Sequence, residues 1–237
     1  MLEVMRLKTP EQRNKYRDAR YFCIFQDIQV ARKLLEQPPT NHKKYAWESE
    51  LAASIDDLAE GNGYRVYRKN STMPDLFFIG YEHLSKRETA SFLQSLALKE
   101  MFRECAFLME GYQEGVTNLH FDHIFREYKI KPQGIDSFSL LDFQYKKLRE
   151  IEALQKSMDD PSQSLSTNKT KMNEKVLEAI DCLVKRERDY FVPAILEQKE
   201  KGKPVIFLAS MTHALSTNLP IVLNNNGIRY ALFVQKS

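Results

Sequence analysis

Short apolar runs bounded by turn residues or charged residues recur along this chain. Four of them, "LFFI", "CAFLM", "VIFLA" and "IRYALFV", occupy residues 76–79, 105–109, 205–209 and 228–234. Nearly continuous apolar runs of this length, in which Arg229 is the one charged residue, predict strands that are buried on both faces, as in a parallel sheet. A further short strand is predicted over residues 64–70.

Longer stretches between these runs repeat apolar residues at helical spacing. In the stretch 85–103, Ser85 is the predicted N-cap and Glu88, three residues later, its capping-box partner. Pro193 predicts a kink or a break within the helical region 171–201. The polar segment near 158–172 shows no periodicity and predicts a flexible loop. The other predicted helices cover residues 11–37, 45–64 (ending at a Gly-Asn-Gly turn), 116–130 and 138–158.

Strands that alternate with helices predict an α/β fold. We expect a central mixed, partly parallel sheet flanked by helices and built from two related halves, with a helical N-terminal extension. Residues 1–70 are predicted to form this mainly helical region, packed on an α/β domain that covers residues 71–237.

Composition and charge narrow the class of protein. The 237 residues include 35 basic and 32 acidic side chains, and the net charge of +3 argues against a nucleic-acid partner. No apolar run reaches the ~20 residues that a membrane-spanning helix needs. The N-terminus shows no ordinary secretory signal, and three scattered cysteines suggest a reducing compartment, so we expect a cytoplasmic protein. Signal-independent export stays open, and the basic, tyrosine-containing N-terminal region suits a protein partner.

Two of the five histidines follow predicted strands in similar contexts. His83 closes "LFFIGYEH", and His213 closes "VIFLASMTH". Active groups of α/β sheets gather beyond the carboxyl ends of the strands, so we expect the two imidazoles to converge there. The competing interpretation is that each histidine only binds a loop carbonyl through a hydrogen bond.

The order of these motifs resembles the superfamily of TraB/TIKI, erythromycin esterase and ChaN-like proteins. The resemblance covers roughly residues 73–235 and departs at Ser210, where the second motif normally begins with glycine. The matching features are Gly-x-x-His at 80–83, the strand-end Glu110 in "FLMEGY", "PQGID" with Asp136, "RERDYFVPAI" with Arg188 and Asp189, and "VIFLASMTH" followed by "NNNGIRYALF".

The resemblance implies a hydrolase that cleaves peptides or esters. His83, Glu110 and His213 are the expected catalytic group that activates a water, and they are also the expected ligands of a divalent metal ion. Arg188 is expected to stabilise charge on the substrate or on an intermediate. Glu82 and Asp136 are weaker metal-ligand candidates.

Other interpretations compete with this one. The chain could be a non-catalytic binding or toxin-like module of the same fold, a reading that Ser210 favours, or it could bind haem through its histidines. Arg188 could lie on a solvated helix face, and Asp136 could cap a helix. The pair His120 and His123 in "HFDH" has a metal-binding spacing on a helix, although it lacks the glutamate of a metalloprotease motif.

Overall fold

The computed structural model describes residues 46–81, 86–112, 121–135, 165–215 and 218–235, together with scattered helical positions between 139 and 154. The chain divides into two compact units. The described parts of Asn41–Asp136 and Glu187–Ser237 belong to one unit, and those of Ser137–Arg186 belong to the other. The sheet and the candidate site lie within the first of these units.

Six strands form one mixed sheet, which confirms the predicted α/β fold. The strand order is β1-β6-β2-β5-β3-β4, in which β1 runs antiparallel to β6 and all other neighbours are parallel. The four predicted apolar runs are the four interior strands, where burial on both faces is required. The strands are β1 (Tyr64–Lys69), β2 (Leu76–Tyr81), β3 (Ala106–Glu110), β4 (Gln133–Ile135), β5 (Val205–Ser210) and β6 (Tyr230–Gln235).

Apart from the helical positions between 139 and 154, eight α-helices and one π-helical turn are found in the part of the chain that the structure describes. Helix α5 belongs to the unit that contains Ser137–Arg186, and the others belong to the unit with the sheet. The helices are α1 (Glu50–Gly61), α2 (Lys86–Leu98), α3 (Met101–Glu104), α4 (Asp122–Glu127), α5 (Leu165–Arg186), the π turn (Glu187–Phe191), α6 (Val192–Glu200), α7 (Met211–Leu215) and α8 (Asn218–Asn225).

Three sequence-based predictions about helices need correction. The predicted helix 85–103 is divided into α2 and α3, because Glu100 adopts a left-handed backbone conformation with φ 58°. The predicted loop near 158–172 is helical from Leu165 onward, since a polar helix shows little hydrophobic periodicity in its first turns. At Pro193 the chain stays helical and does not break, and the kink that the sequence also allowed stays a prediction.

The N-terminal boundary predicted between residues 70 and 71 does not separate the sheet from the segment before it. Strand β1, which precedes that boundary, pairs with β6 from the end of the chain. Residues 1–45, including the predicted helix 11–37, lie outside the described residues. No helix among the described residues is both long and apolar enough to cross a membrane.

Alternation along the strands divides the core into two faces. On one face, Phe77, Ile79, Phe107 and Phe233 belong to a large apolar cluster that also contains residues of α1 and α2. On the other face, Phe78 packs edge-to-face on Phe207, with ring centroids 5.2 Å apart. This second face continues into the candidate site.

Candidate active site

The carboxyl ends of the adjacent strands β3 and β5 hold the first part of the site. Glu110 is the last residue of β3, and Ser210 is the last residue of β5. The backbone N–H of Ser210 donates to Glu110 Oε2 at 2.6 Å. The Glu110 side chain is only 6% exposed, so this hydrogen bond compensates part of the cost of burying its carboxylate.

His213 lies on helix α7, which begins directly after β5. Its imidazole is fully buried. Nδ1 lies 2.8 Å from Glu187 Oε1, and Nε2 lies 3.4 Å from Glu110 Oε1. The second contact has an ion-pair distance but lacks the geometry of a hydrogen bond, and among the described residues Nε2 has no hydrogen-bond partner. One imidazole is therefore held between two carboxylates.

The π-helical turn supplies the second carboxylate. Pro193 has no amide hydrogen for the carbonyl of Asp189, four residues earlier, and the widened turn lies just before it. Glu187 and Phe191 are four residues apart, and both are fully buried and contact His213. The Phe191 ring packs edge-on to the imidazole at 4.8 Å and to Phe207 at 4.8 Å, which links the site to the core.

Asn218, the first residue of α8, completes the described polar contacts of Glu187. Its amide Nδ2 donates to Glu187 Oε2 at 2.7 Å. Each oxygen of the Glu187 carboxylate therefore has its own partner, since Oε1 faces His213 Nδ1. A carboxylate held at both oxygens is restricted in rotation.

Gly80 of β2 makes room for the helix that carries His213. A Cβ atom at this position would lie 3.0 Å from Ala214 Cβ and 3.0 Å from Met211 Cα. The glycine of the first Gly-x-x-His motif therefore allows α7 to pack closely on the sheet. In the sheet register Gly80 lies opposite Ala209, while Ser210 lies opposite Tyr81, so the two motifs are offset by one residue.

Two further glycines support the turn that follows Glu110. Gly111 adopts a left-handed conformation with φ 67°, which side chains disfavour. At Gly134 of β4, a Cβ atom would lie 1.9 Å from the carbonyl oxygen of Tyr112. The chain after β3 can therefore cross closely over β4 only because Gly134 lacks a side chain.

The carboxylates control the protonation of His213. Burial by itself lowers the pKa of a histidine, but the charges and polar contacts of Glu110 and Glu187 outweigh it and raise the pKa of His213 above its ordinary value. The cationic imidazolium is therefore favoured to higher pH than in a solvated histidine.

Of the predicted site residues, the structure brings Glu110 and His213 together. Arg188 does not join them: its side chain is 63% exposed, and its Nε donates to Asp189 Oδ1 at 2.6 Å. This placement matches the alternative of a solvated helix face. His83, Glu82 and Asp136 lie outside the described residues, as does His120, whereas His123 is exposed on α4.

Sequence reasoning missed Glu187 and Asn218. Glu187 belongs to a series of buried residues spaced by four, Leu183, Glu187, Phe191 and Ile195. A glutamate within such an apolar stripe is a signal of a buried, partnered carboxylate. Asn218 carries no comparable signal, because asparagine is ordinary at the start of a helix.

The described residues supply only part of the predicted metal site. His213 Nε2 and Glu110 Oε1 are 3.4 Å apart, close to the roughly 3.4 Å that separates two tetrahedral zinc ligands at about 2.1 Å each. Within the described ranges, however, no group of three or more His, Cys, Asp or Glu side chains could hold an ion. The metal ion stays a prediction that depends on His83, Glu82 and Asp136.

Haem is less compatible with this arrangement. An axial haem ligand needs an open face at its coordinating nitrogen. In His213, Nδ1 faces Glu187, Nε2 faces Glu110, and the ring packs against Phe191. A haem bound through this residue would have to displace one of these side chains.

Comparison with other proteins adds no assignment to the site. No protein-family model matches this chain, and no curated protein or solved structure is significantly similar to it. The resemblance to the TraB/TIKI, erythromycin esterase and ChaN-like superfamily therefore stays a hypothesis that rests on the motifs themselves.

Proposed function

We propose that this protein is a hydrolase that uses His213 to move protons during the attack of water on an ester or peptide carbonyl. The observation that carries the proposal is one buried imidazole held between Glu110 and Glu187 at the carboxyl ends of two adjacent parallel strands. A histidine oriented by a carboxylate is a recurring proton-transfer unit in hydrolases.

The two carboxylates have different roles in this proposal. Glu187 accepts from Nδ1 and orients the ring, while Glu110, whose side chain is also buried, lies beside Nε2. In this proposal water and substrate approach Nε2 from the Glu110 side, because Nε2 has no hydrogen-bond partner among the described residues and Nδ1 is held by Glu187. The raised pKa of His213 suits the imidazolium to protonating a leaving group. His83 would complete the group that activates the water.

A non-catalytic binding module of the same fold is the second candidate. The observation that favours it is the complete burial of His213, because a proton-transfer group must reach its substrate. In that case the His213 cluster would only stabilise the end of the sheet. The two candidates differ in whether any substrate is turned over.

The test is a hydrolysis assay of the purified full chain on chromogenic esters and fluorogenic peptides, with added divalent metal ions and with chelator. We expect His213→Ala and Glu110→Gln to lower turnover by about 10²-fold or more. The matched control is His123→Ala, an exposed histidine that should leave turnover unchanged. Full activity of His213→Ala would refute the role of His213.

An absence of turnover under every condition, with no metal found by elemental analysis and no Soret band, would favour the binding module. In the same assay, chelator-sensitive turnover restored by one metal ion would support the predicted metal. Turnover that chelator does not affect would support metal-free proton transfer by His213 and Glu110.

A further inference from the structure

The first residue of α8 contacts the site through Glu187 and not through His213. Asn218 Nδ2 donates to Glu187 Oε2 at 2.7 Å, whereas the other carboxylate oxygen lies 2.8 Å from His213 Nδ1. Asn218 and Glu187 come from different helices, 31 residues apart in sequence. This contact is therefore a product of the tertiary fold.

The chemistry of the three groups determines where the hydrogens lie. An ionised carboxylate only accepts hydrogen bonds, and the side-chain amide of asparagine donates through its nitrogen. When Glu187 is ionised, the contact at Oε1 requires a hydrogen on His213 Nδ1. Nε2 is then the nitrogen that remains on the Glu110 side of the ring.

We infer that Asn218 is a positioning residue that holds Glu187 so that Nδ1 of His213 carries a hydrogen and Nε2 is the working nitrogen. Without the Asn218 amide, Oε2 of a buried carboxylate loses its donor, and the group gains freedom to rotate away from Nδ1. The cationic ring then loses the acceptor of its Nδ1–H, and the neutral ring formed when Nε2 gives up its proton loses the contact that keeps the remaining hydrogen on Nδ1. Phe191 would still pack against the ring, so the ring itself stays in place.

Nuclear magnetic resonance of the histidine ring tests this inference directly. In full-length protein labelled with ¹⁵N-histidine, the Nδ1–H proton of His213 should appear as a downfield, slowly exchanging resonance, identified by its loss in His213→Gln. We expect Asn218→Ala and the similarly sized Asn218→Leu, which both lack a hydrogen-bond donor, to shift this resonance upfield or to broaden it by exchange. Asn225→Ala, at an exposed position on the same helix, should leave it unchanged.

The activity part of the test rests on the proposed hydrolase function, and the resonance does not. If the wild type hydrolyses a substrate, both Asn218 variants should turn it over at least tenfold more slowly, with wild-type circular dichroism. A wild type with no turnover would count against the hydrolase and leave the resonance to decide the role of Asn218. An Nδ1–H resonance unchanged in Asn218→Leu, which has no donor, would overturn the inference, even if Asn218→Ala fails to fold.

Discussion

Charged groups lie at both ends of the parallel part of the sheet, at β2 and β6 on one side and at β3 and β5 on the other, and their surroundings differ. At the amino end, Asp75 precedes β2 and pairs with Arg229, which precedes β6, and with Lys199 Nζ at 3.2 Å. At the carboxyl end, Glu110 and Glu187 flank the single imidazole of His213. The first cluster places two cations around one carboxylate, and the second places two carboxylates around one histidine.

The two clusters also differ in the solvent exposure of their side chains, which determines how much each contributes to stability. The Arg229 side chain is 52% exposed, whereas those of His213 and Glu187 are 1% and 0% exposed. Exposed ion pairs contribute little, about 0–1 kcal/mol, because water and salt screen them. A buried pair has lost its hydration, so removing one partner leaves the other without compensation. The two cations of the amino-end cluster stay in contact with water, although Asp75 itself is only 11% exposed, whereas every charged group of the carboxyl-end cluster is buried.

Removing one carboxylate from the buried cluster should have the largest effect. We expect Glu187→Leu to lower the free energy of unfolding by about 3–5 kcal/mol, because His213 Nδ1 and the Asn218 amide lose their partner. Urea denaturation followed by circular dichroism measures the change. The control Glu197→Leu, on the exposed part of α6, should stay within about 0.5 kcal/mol.

The same measurement on Asp75→Ala tests the cluster at the amino end. We expect this change to lower the free energy of unfolding by roughly 1 kcal/mol, and the decrease should become smaller with added salt. Equal losses for Glu187→Leu and Asp75→Ala would contradict the distinction between the two clusters.

Gly80→Ala should have the next largest effect, because it acts on the packing beneath His213. The added Cβ would meet Ala214 and the backbone of Met211 at 3.0 Å, so α7 must shift. Overpacking of this kind costs about 1–3 kcal/mol, and we expect a matching loss in thermal or urea stability. Gly61→Ala is the control, because nothing lies within 4 Å of a Cβ there and its φ is not in the left-handed region. If Gly80→Ala were as stable as the wild type, α7 would not be closely packed on the sheet at this position.

A series of stability measurements at different pH values should separate the two clusters. The pKa of His213 is raised in the folded state, so the protonated ring stabilises the fold. This contribution to the free energy of unfolding is fully present below the unfolded pKa of about 6.5, and it is lost as the pH rises through the folded pKa. Between these two pKa values, the free energy of unfolding of the wild type should fall, relative to that of His213→Gln, by up to about 1.4 kcal/mol per pH unit.

Asp75 should respond at the acidic end. Burial by itself raises a carboxyl pKa, but the contacts of Asp75 with Arg229 and Lys199 lower it below its ordinary value. Its contribution is therefore present above about pH 3.9 and is lost as pH falls through the lower folded value. The stability difference between wild type and Asp75→Asn should shrink only under acid conditions. If neither the difference between wild type and His213→Gln nor that between wild type and Asp75→Asn changed with pH, both pKa assignments would be refuted.

The sequence was most informative about the sheet. The four apolar runs became the four interior strands, because burial on both faces demands nearly continuous apolar residues. It was less informative about α5, whose first turns are polar, and about β4, whose three residues "QGI" are too few for a pattern. Short or polar elements depend on their neighbours for stability, so local composition does not reveal them.

The sequence likewise predicted only part of the candidate site. Glu110 and His213 were singled out because each follows an apolar strand run, and the parallel arrangement of β3 and β5 brings them together. From "RERDYF", Arg188 was chosen and Glu187 was missed, yet Arg188 faces solvent and Glu187 faces His213. Glu187 continues the buried series of Leu183, Phe191 and Ile195, so this four-residue spacing, and not the charge motif, indicated which of the two neighbours is buried.

By itself the sequence determined an α/β sheet with apolar interior strands, together with a glutamate and a histidine at the ends of two of them. These features depend on hydrophobic periodicity and strand length, which are local properties of the chain. Only the tertiary structure decided that Glu187 and Asn218 reach His213 and that Gly80 makes room for its helix. Those contacts join elements distant along the chain, and they exist only because strand order and close packing bring the elements together.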